Sequence, residues 1–109
     1  MHLQLPNPID TFVRAENSGD VESMSECFVP YATVRDESHY YEGLPAIKSW
    51  RSSTRKKYKH TLTPLEIRTT AGTTTLKALL SGKFPGSPVT ASFHFALVDD
   101  RIASLQIRS

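Results

Sequence analysis

Tyr31-Ala32-Thr33-Val34-Arg35-Asp36-Glu37 is the stretch on which the reading of this chain turns. Its residues alternate between apolar and polar, which predicts a β-strand with Ala32, Val34 and Asp36 on one face. The third member of that apolar stripe is a carboxylate. A carboxylate facing an apolar hollow can accept a proton or anchor a ligand. Two short amphipathic segments precede the strand and a third follows it. The fold is therefore read outward from this point.

Upstream, Asn7 reads as the cap of a helix whose first residue is Pro8, with Asp10 at the third position, where negative charge suits the helix dipole. Ile9, Phe12, Val13 and Glu16 share one face at helical spacing. Ser18-Gly19 ends that helix. Asp20 caps a second helix with Val21, Met24, Cys27 and Phe28 on its buried side, and Pro30 is expected to stop it. Downstream, His39–Gly43 reads as a short strand or extended loop. A third helix starts near Leu44, with Pro45 in its first turn. Ile47, Trp50, Thr54 and Tyr58 form its inward stripe. Lys48, Arg51, Arg55, Lys56 and Lys59 are assigned to its outer side.

After His60 the period changes from helical to alternating. Thr61–Thr70 is a strand in which Pro64 marks an edge or a bulge. Ala71-Gly72 is a turn, and Thr73–Gly82 is the next strand. Phe84-Pro85-Gly86-Ser87-Pro88 has strong turn chemistry. Val89–Val98 places Val89, Ala91, Phe93, Phe95 and Leu97 on one side. Asp99-Asp100 makes a tight connection to a last strand, Arg101–Arg108. Helices first and strands last predict an α+β fold, with three N-terminal helices packed on a strongly curved, mostly antiparallel sheet. That arrangement makes a cone, with a pocket where the helices cover the sheet incompletely.

The 109 residues suit one domain spanning residues 1–109, and 39% hydrophobic with 22% charged residues is ordinary for a globular chain. The single cysteine, Cys27, excludes an internal disulfide and is expected to be a buried, inert thiol. No apolar run is long enough to span a membrane, and Met1–Leu5 lacks the pattern of a signal peptide. The expected location is cytoplasmic. A net charge of +2 gives no reason to expect nucleic acid. The basic run Arg51–Lys59 reads as the solvated side of an amphipathic helix. The four histidines lack the spacing of a zinc site.

Four pieces in register resemble the nuclear transport factor 2-like superfamily, and within it the SnoaL-like and steroid isomerase-like bacterial proteins. Phe12–Asp20 is similar to the first helix and its Gly-Asp junction. Phe28–Asp36 is similar to the helix-to-strand step, Tyr41–Ile47 to the start of the third helix, and Val98–Ile102 to the final hairpin. The resemblance implies a cone with a deep pocket and a homodimer formed through the outer sheet face. It puts Asp36 where steroid isomerases keep their base. Those enzymes also use a Tyr on the first helix and an acid on a late strand as oxyanion donors. Phe12 and Phe93 stand at those positions, so both donors are missing. The late-strand acid of SnoaL-like cyclases has no counterpart between Val89 and Leu97. No metal-ligand set is present, and no cofactor is implied.

Asp36 is the candidate base or ligand anchor. Phe12, Val34, Tyr41, Trp50, Phe93 and Phe95 are candidate walls for a small, mainly apolar molecule, and equally candidates for plain core packing. His60, at the helix-to-strand junction, is a second titratable candidate, and His39 lies close enough in the chain to pair with Asp36. His94 alternates away from Phe93 and Phe95 and is expected to face outward. If the chain is an enzyme, the resemblance implies cofactor-independent isomerase, hydrolase or cyclase chemistry. The alternative is a noncatalytic ligand-binding or association module of the same fold, which could use the outer stripe Thr90, Ser92, His94, Ala96 and Val98.

Overall fold

The computed structural model describes residues 4–36, 38–58 and 61–108, without the side chains of residues 54–58. The elements run α1 (Asn7–Ser18), α2 (Val21–Glu26), β1 (Phe28–Asp36), β2 (His39–Glu42), α3 (Leu44–Tyr58), β3 (Thr61–Thr70), β4 (Thr73–Ser81), β5 (Val89–Val98) and β6 (Arg101–Arg108). Three helices lie against one curved six-stranded sheet that does not close. The strand order is β2-β1-β6-β5-β4-β3. Only the β1–β6 pairing is parallel among the described strands. Among the described residues no helix is long and apolar enough to cross a membrane.

Local chemistry accounts for most element ends. Gly19 takes the left-handed conformation (φ 76°) that a helix C-terminus favours, and its N–H donates to the Ala15 carbonyl. Asp20 caps α2 as expected, accepting from the Ser23 amide at 3.1 Å and the Ser23 hydroxyl at 2.6 Å. Those two bonds hold the Asp20 carboxyl below its usual pKa. Ala71-Gly72 and Asp99-Asp100 both have positive φ at each residue, as two-residue hairpin turns require.

Two boundaries differ from the sequence reading. Asn7 does not cap α1. The helix begins at Asn7 with Pro6 before it, and the first turn is tied by the Asp10 amide to the Pro6 carbonyl at 2.9 Å. Nor does α2 reach Phe28 or stop at Pro30. It ends at Glu26, and β1 starts at Phe28. The cause is pairing with the last strand. Phe28 sits opposite Ile102, whose amide donates to the Cys27 carbonyl at 2.7 Å. Pro30 has no amide to give, and the β1–β6 register shifts between Phe28 and Thr33, where the ladder is irregular. Pro64 behaves as read: β3 is an edge strand and its register shifts between Pro64 and Glu66.

The register sets the inner face of the sheet. One row across the strands is Tyr41, Val34, Leu105, Phe95 and Thr74. The next is His39, Asp36, Ile107, Phe93 and Leu76. Phe12 descends from α1 onto these rows and meets Phe28, Phe93 and Phe95 edge-on, with ring centroids 6.1, 6.2 and 5.5 Å away. All four rings are at most 2% exposed. On the other side of α1, the Asn17 amide group donates to the Leu62 carbonyl at 3.0 Å and its oxygen accepts from the Leu62 amide at 2.7 Å. That pair fastens the helix to β3.

Candidate functional site

Asp36 lies at the end of β1 on the helix-covered face, in the same lateral row as Ile107 and Phe93. It is half-buried. The α3 helix packs against β1 and β2 and brings Trp50 over the strand end. The indole N–H of Trp50 donates to a carboxylate oxygen of Asp36 at 3.1 Å. His39 stands opposite Asp36 and Tyr41 opposite Val34 in the β1–β2 hairpin. The two rings stack with centroids 6.4 Å apart, and Tyr41 packs against Trp50 at 5.6 Å. Asp36, His39, Tyr41 and Trp50 thus meet at one end of the cone. His39 is exposed and Tyr41 half-buried, so this end is reachable from solvent.

The remaining sequence candidates fall behind it. Val34, Phe12, Phe93 and Phe95 are buried at 0–2% exposure and pack as core. The inward placement of Ile47 and Trp50 on α3 is as read, whereas the side chains of Thr54 and Tyr58 lie outside the described residues. His60, Glu37 and Lys59 also lie outside them, as do the side chains of Arg55 and Lys56. His94 faces outward, with its Nδ1 3.0 Å from the Thr75 hydroxyl. No group of three or more His, Cys, Asp or Glu side chains is placed to hold a metal ion among the described residues.

One assignment is overturned. Arg51 is not on the solvated side of α3 but buried, 5% exposed, and its guanidinium pairs with the Glu16 carboxylate of α1, itself 2% exposed. Its guanidinium also lies over the Trp50 ring, 3.6 Å from the centroid. Arg51 follows Ile47 by one helical turn, so it sits at the edge of the buried stripe and can reach inward. The sequence did carry a signal. Glu16 completes an apolar face with Ile9, Phe12 and Val13, and a carboxylate there needs a buried cation beside it. A small recess of about 10 Å³, room for one water, is lined by Ala15, Glu16, Gly19, Val21, Met24 and Arg51.

Cys27 is buried as expected, and its thiol donates to the Met24 carbonyl at 2.8 Å. Burial pushes its pKa from an ordinary 9.0 to about 12. We expect alkylation by iodoacetamide at pH 8 to proceed only as fast as the protein opens; stoichiometric labelling of the folded state would contradict this. The sign follows from the raised value. The folded thiol keeps its proton where the unfolded one loses it, so stability falls as pH rises above 9.0 towards about 12.

No protein-family model matches the chain, and no curated protein does. Solved structures do. A Sinorhizobium meliloti protein provisionally assigned as a polyketide cyclase is 36% identical over 95% of both chains, with a TM-score of 0.92. A Catenulispora acidiphila protein with a ketosteroid isomerase-like fold is 16% identical over 97% of this chain and 87% of its own, TM-score 0.85. An NTF2-like protein of unknown function from Cytophaga hutchinsonii is 16% identical over 99% of this chain and 93% of its own, TM-score 0.79. The two remote matches share the fold, and the first shares enough sequence over nearly its whole length to settle kinship: this chain belongs to the nuclear transport factor 2-like superfamily.

Proposed function

We propose that this protein binds a small, mainly apolar molecule at the open end of the cone, with Asp36 as the group that accepts its proton or hydrogen bond. The observation that carries the reading is the Trp50–Asp36 bond, because a partner on α3 puts the carboxylate on the helix-covered side of the sheet. Tyr41 and Trp50 form the nearest wall. Val34, Phe12, Phe93 and Phe95 back it and fix its shape. In a chemical step of isomerase, hydrolase or cyclase type, Asp36 is the base.

Naphthol and naphthalene are matched probes, since they differ only in a hydroxyl that Asp36 would accept. A charge-assisted bond of about 1.5–3 kcal/mol gives naphthol roughly a tenfold to hundredfold preference, read from the quenching of Trp50. Asp36→Asn is expected to lose most of that preference without loss of fold. Equal affinities in the wild type, or an unchanged preference in the variant, would rule the reading out.

A noncatalytic carrier is the second reading. It is favoured by one feature: among the described residues, the hydrogen-bond partner of Asp36 is an indole and not a second titratable group. The partner we propose for the outer sheet face is a second copy of the chain, seated on Thr90, Ser92, His94, Ala96 and Val98. Sedimentation velocity decides it, with a dimer expected and a monomer at all concentrations against it.

A further inference from the structure

The buried pair Glu16–Arg51 touches the proposed site through Trp50. Arg51 stacks its guanidinium on Trp50 at 3.6 Å, and Trp50 gives its N–H to Asp36 at 3.1 Å. The chain of contacts runs from α1 through α3 to the end of β1. A planar guanidinium over an indole face is held by the ring's quadrupole and by flat stacking, neither of which a lysine ammonium reproduces. The Glu16 carboxylate pairs with the guanidinium, and both side chains are at least 94% buried. A side chain clamped on its face has little freedom to swing its N–H away from an acceptor. The positive charge over the ring also polarises the N–H and makes it a better donor to a carboxylate.

We propose that Glu16 and Arg51 are positioning residues for Asp36, acting through Trp50: the ion pair clamps the indole, and the indole aims the carboxylate. The proposal rests on the preceding reading only in taking Asp36 as the group that meets the ligand. The clamp itself is a property of the unliganded protein.

Trp50 is the single tryptophan of the chain, so proton–nitrogen NMR shows one indole N–H signal. Its position reports the bond to Asp36, and its exchange with solvent reports how firmly that bond is held. Three variants separate the contributions. Asp36→Ala removes the acceptor. Arg51→Lys keeps the charge beside Glu16 and removes the flat group. The double variant Glu16→Leu/Arg51→Met removes both charges at similar volume, and so keeps the fold if the lysine variant does not. We expect all three to move the indole signal upfield and to speed its exchange by about tenfold or more, while the backbone amides of β1, β2 and α3 keep their protection. A merely structural role for the pair would leave the exchange rate of the indole N–H unchanged in any variant that folds, whatever direct effect loss of the stacked charge has on its shift. Wild-type indole behaviour in the folded double variant, with the expected change in Asp36→Ala, would overturn the clamp and leave Asp36 as ligand anchor intact. An indole unmoved by Asp36→Ala would overturn the clamp too, by removing its last link. Loss of the naphthol preference alone tests the binding reading and is independent of both results.

Discussion

Arg51→Met is expected to destabilise this protein by about 3–5 kcal/mol, because it leaves the Glu16 carboxylate buried without the guanidinium that pairs with it. For a domain of this size that corresponds to a fall in Tm of roughly 20 °C. Glu16→Leu alone should cost a similar amount, for the converse reason. The double variant Glu16→Leu/Arg51→Met should recover most of the loss, since apolar side chains of like volume replace a buried pair at little net cost or with a gain. Urea unfolding of the four proteins closes the cycle. Single variants within about 1 kcal/mol of wild type would mean that the two charges are solvated, the median worth of a surface pair.

Phe12→Ala should be the most costly single truncation of the aromatic core, at about 3–5 kcal/mol. Phe12 is fully buried and meets three other phenylalanine rings edge-on. Each such aromatic pair adds about 0.5–1.5 kcal/mol beyond the area it buries. The neighbouring rings come from β1 and β5, strands that cannot close in on the vacated space without breaking their register. The cavity should therefore persist. A cost below about 2 kcal/mol in the urea midpoint would show that α1 settles onto the sheet, and that the ring is wall rather than core.

The fold was legible because its signals are periodic. Alternation from Val89 to Val98 and the Phe12 stripe each report one face, and a face is what the sheet and helices need to agree on. The Gly19 and Asp20 junction was legible for a different reason: both residue types act within three positions of themselves. What escaped reading was decided by distant pairing. Phe28 joins β1 because Ile102 is opposite it, and nothing near Phe28 announces that strand. Arg51 was assigned to solvent because its neighbours Lys48, Arg55 and Lys56 are basic, and its partner Glu16 is 35 residues away. The site itself was half legible. The inward direction of Asp36 followed from Ala32 and Val34. The indole that holds it did not, since the angle at which α3 crosses the sheet is set by tertiary packing and not by local propensity.

The same distinction bears on chemistry. Phe12 and Phe93 stand where the resemblance puts oxyanion donors, and both are buried within the aromatic cluster. A base without such donors forgoes several kcal/mol of transition-state stabilisation. Under the proposed reading, the described side chains from which turnover would draw that stabilisation are those beside Asp36, His39 and Tyr41.

A crystal structure with naphthol bound is the most direct measurement of where recognition occurs. We expect the hydroxyl within hydrogen-bond distance of the Asp36 carboxylate, with the rings against Tyr41 and Trp50 and the indole N–H still on the second oxygen. Naphthol seated elsewhere, or an Asp36 side chain turned to the outer face of the sheet with Trp50 unbonded, would contradict this.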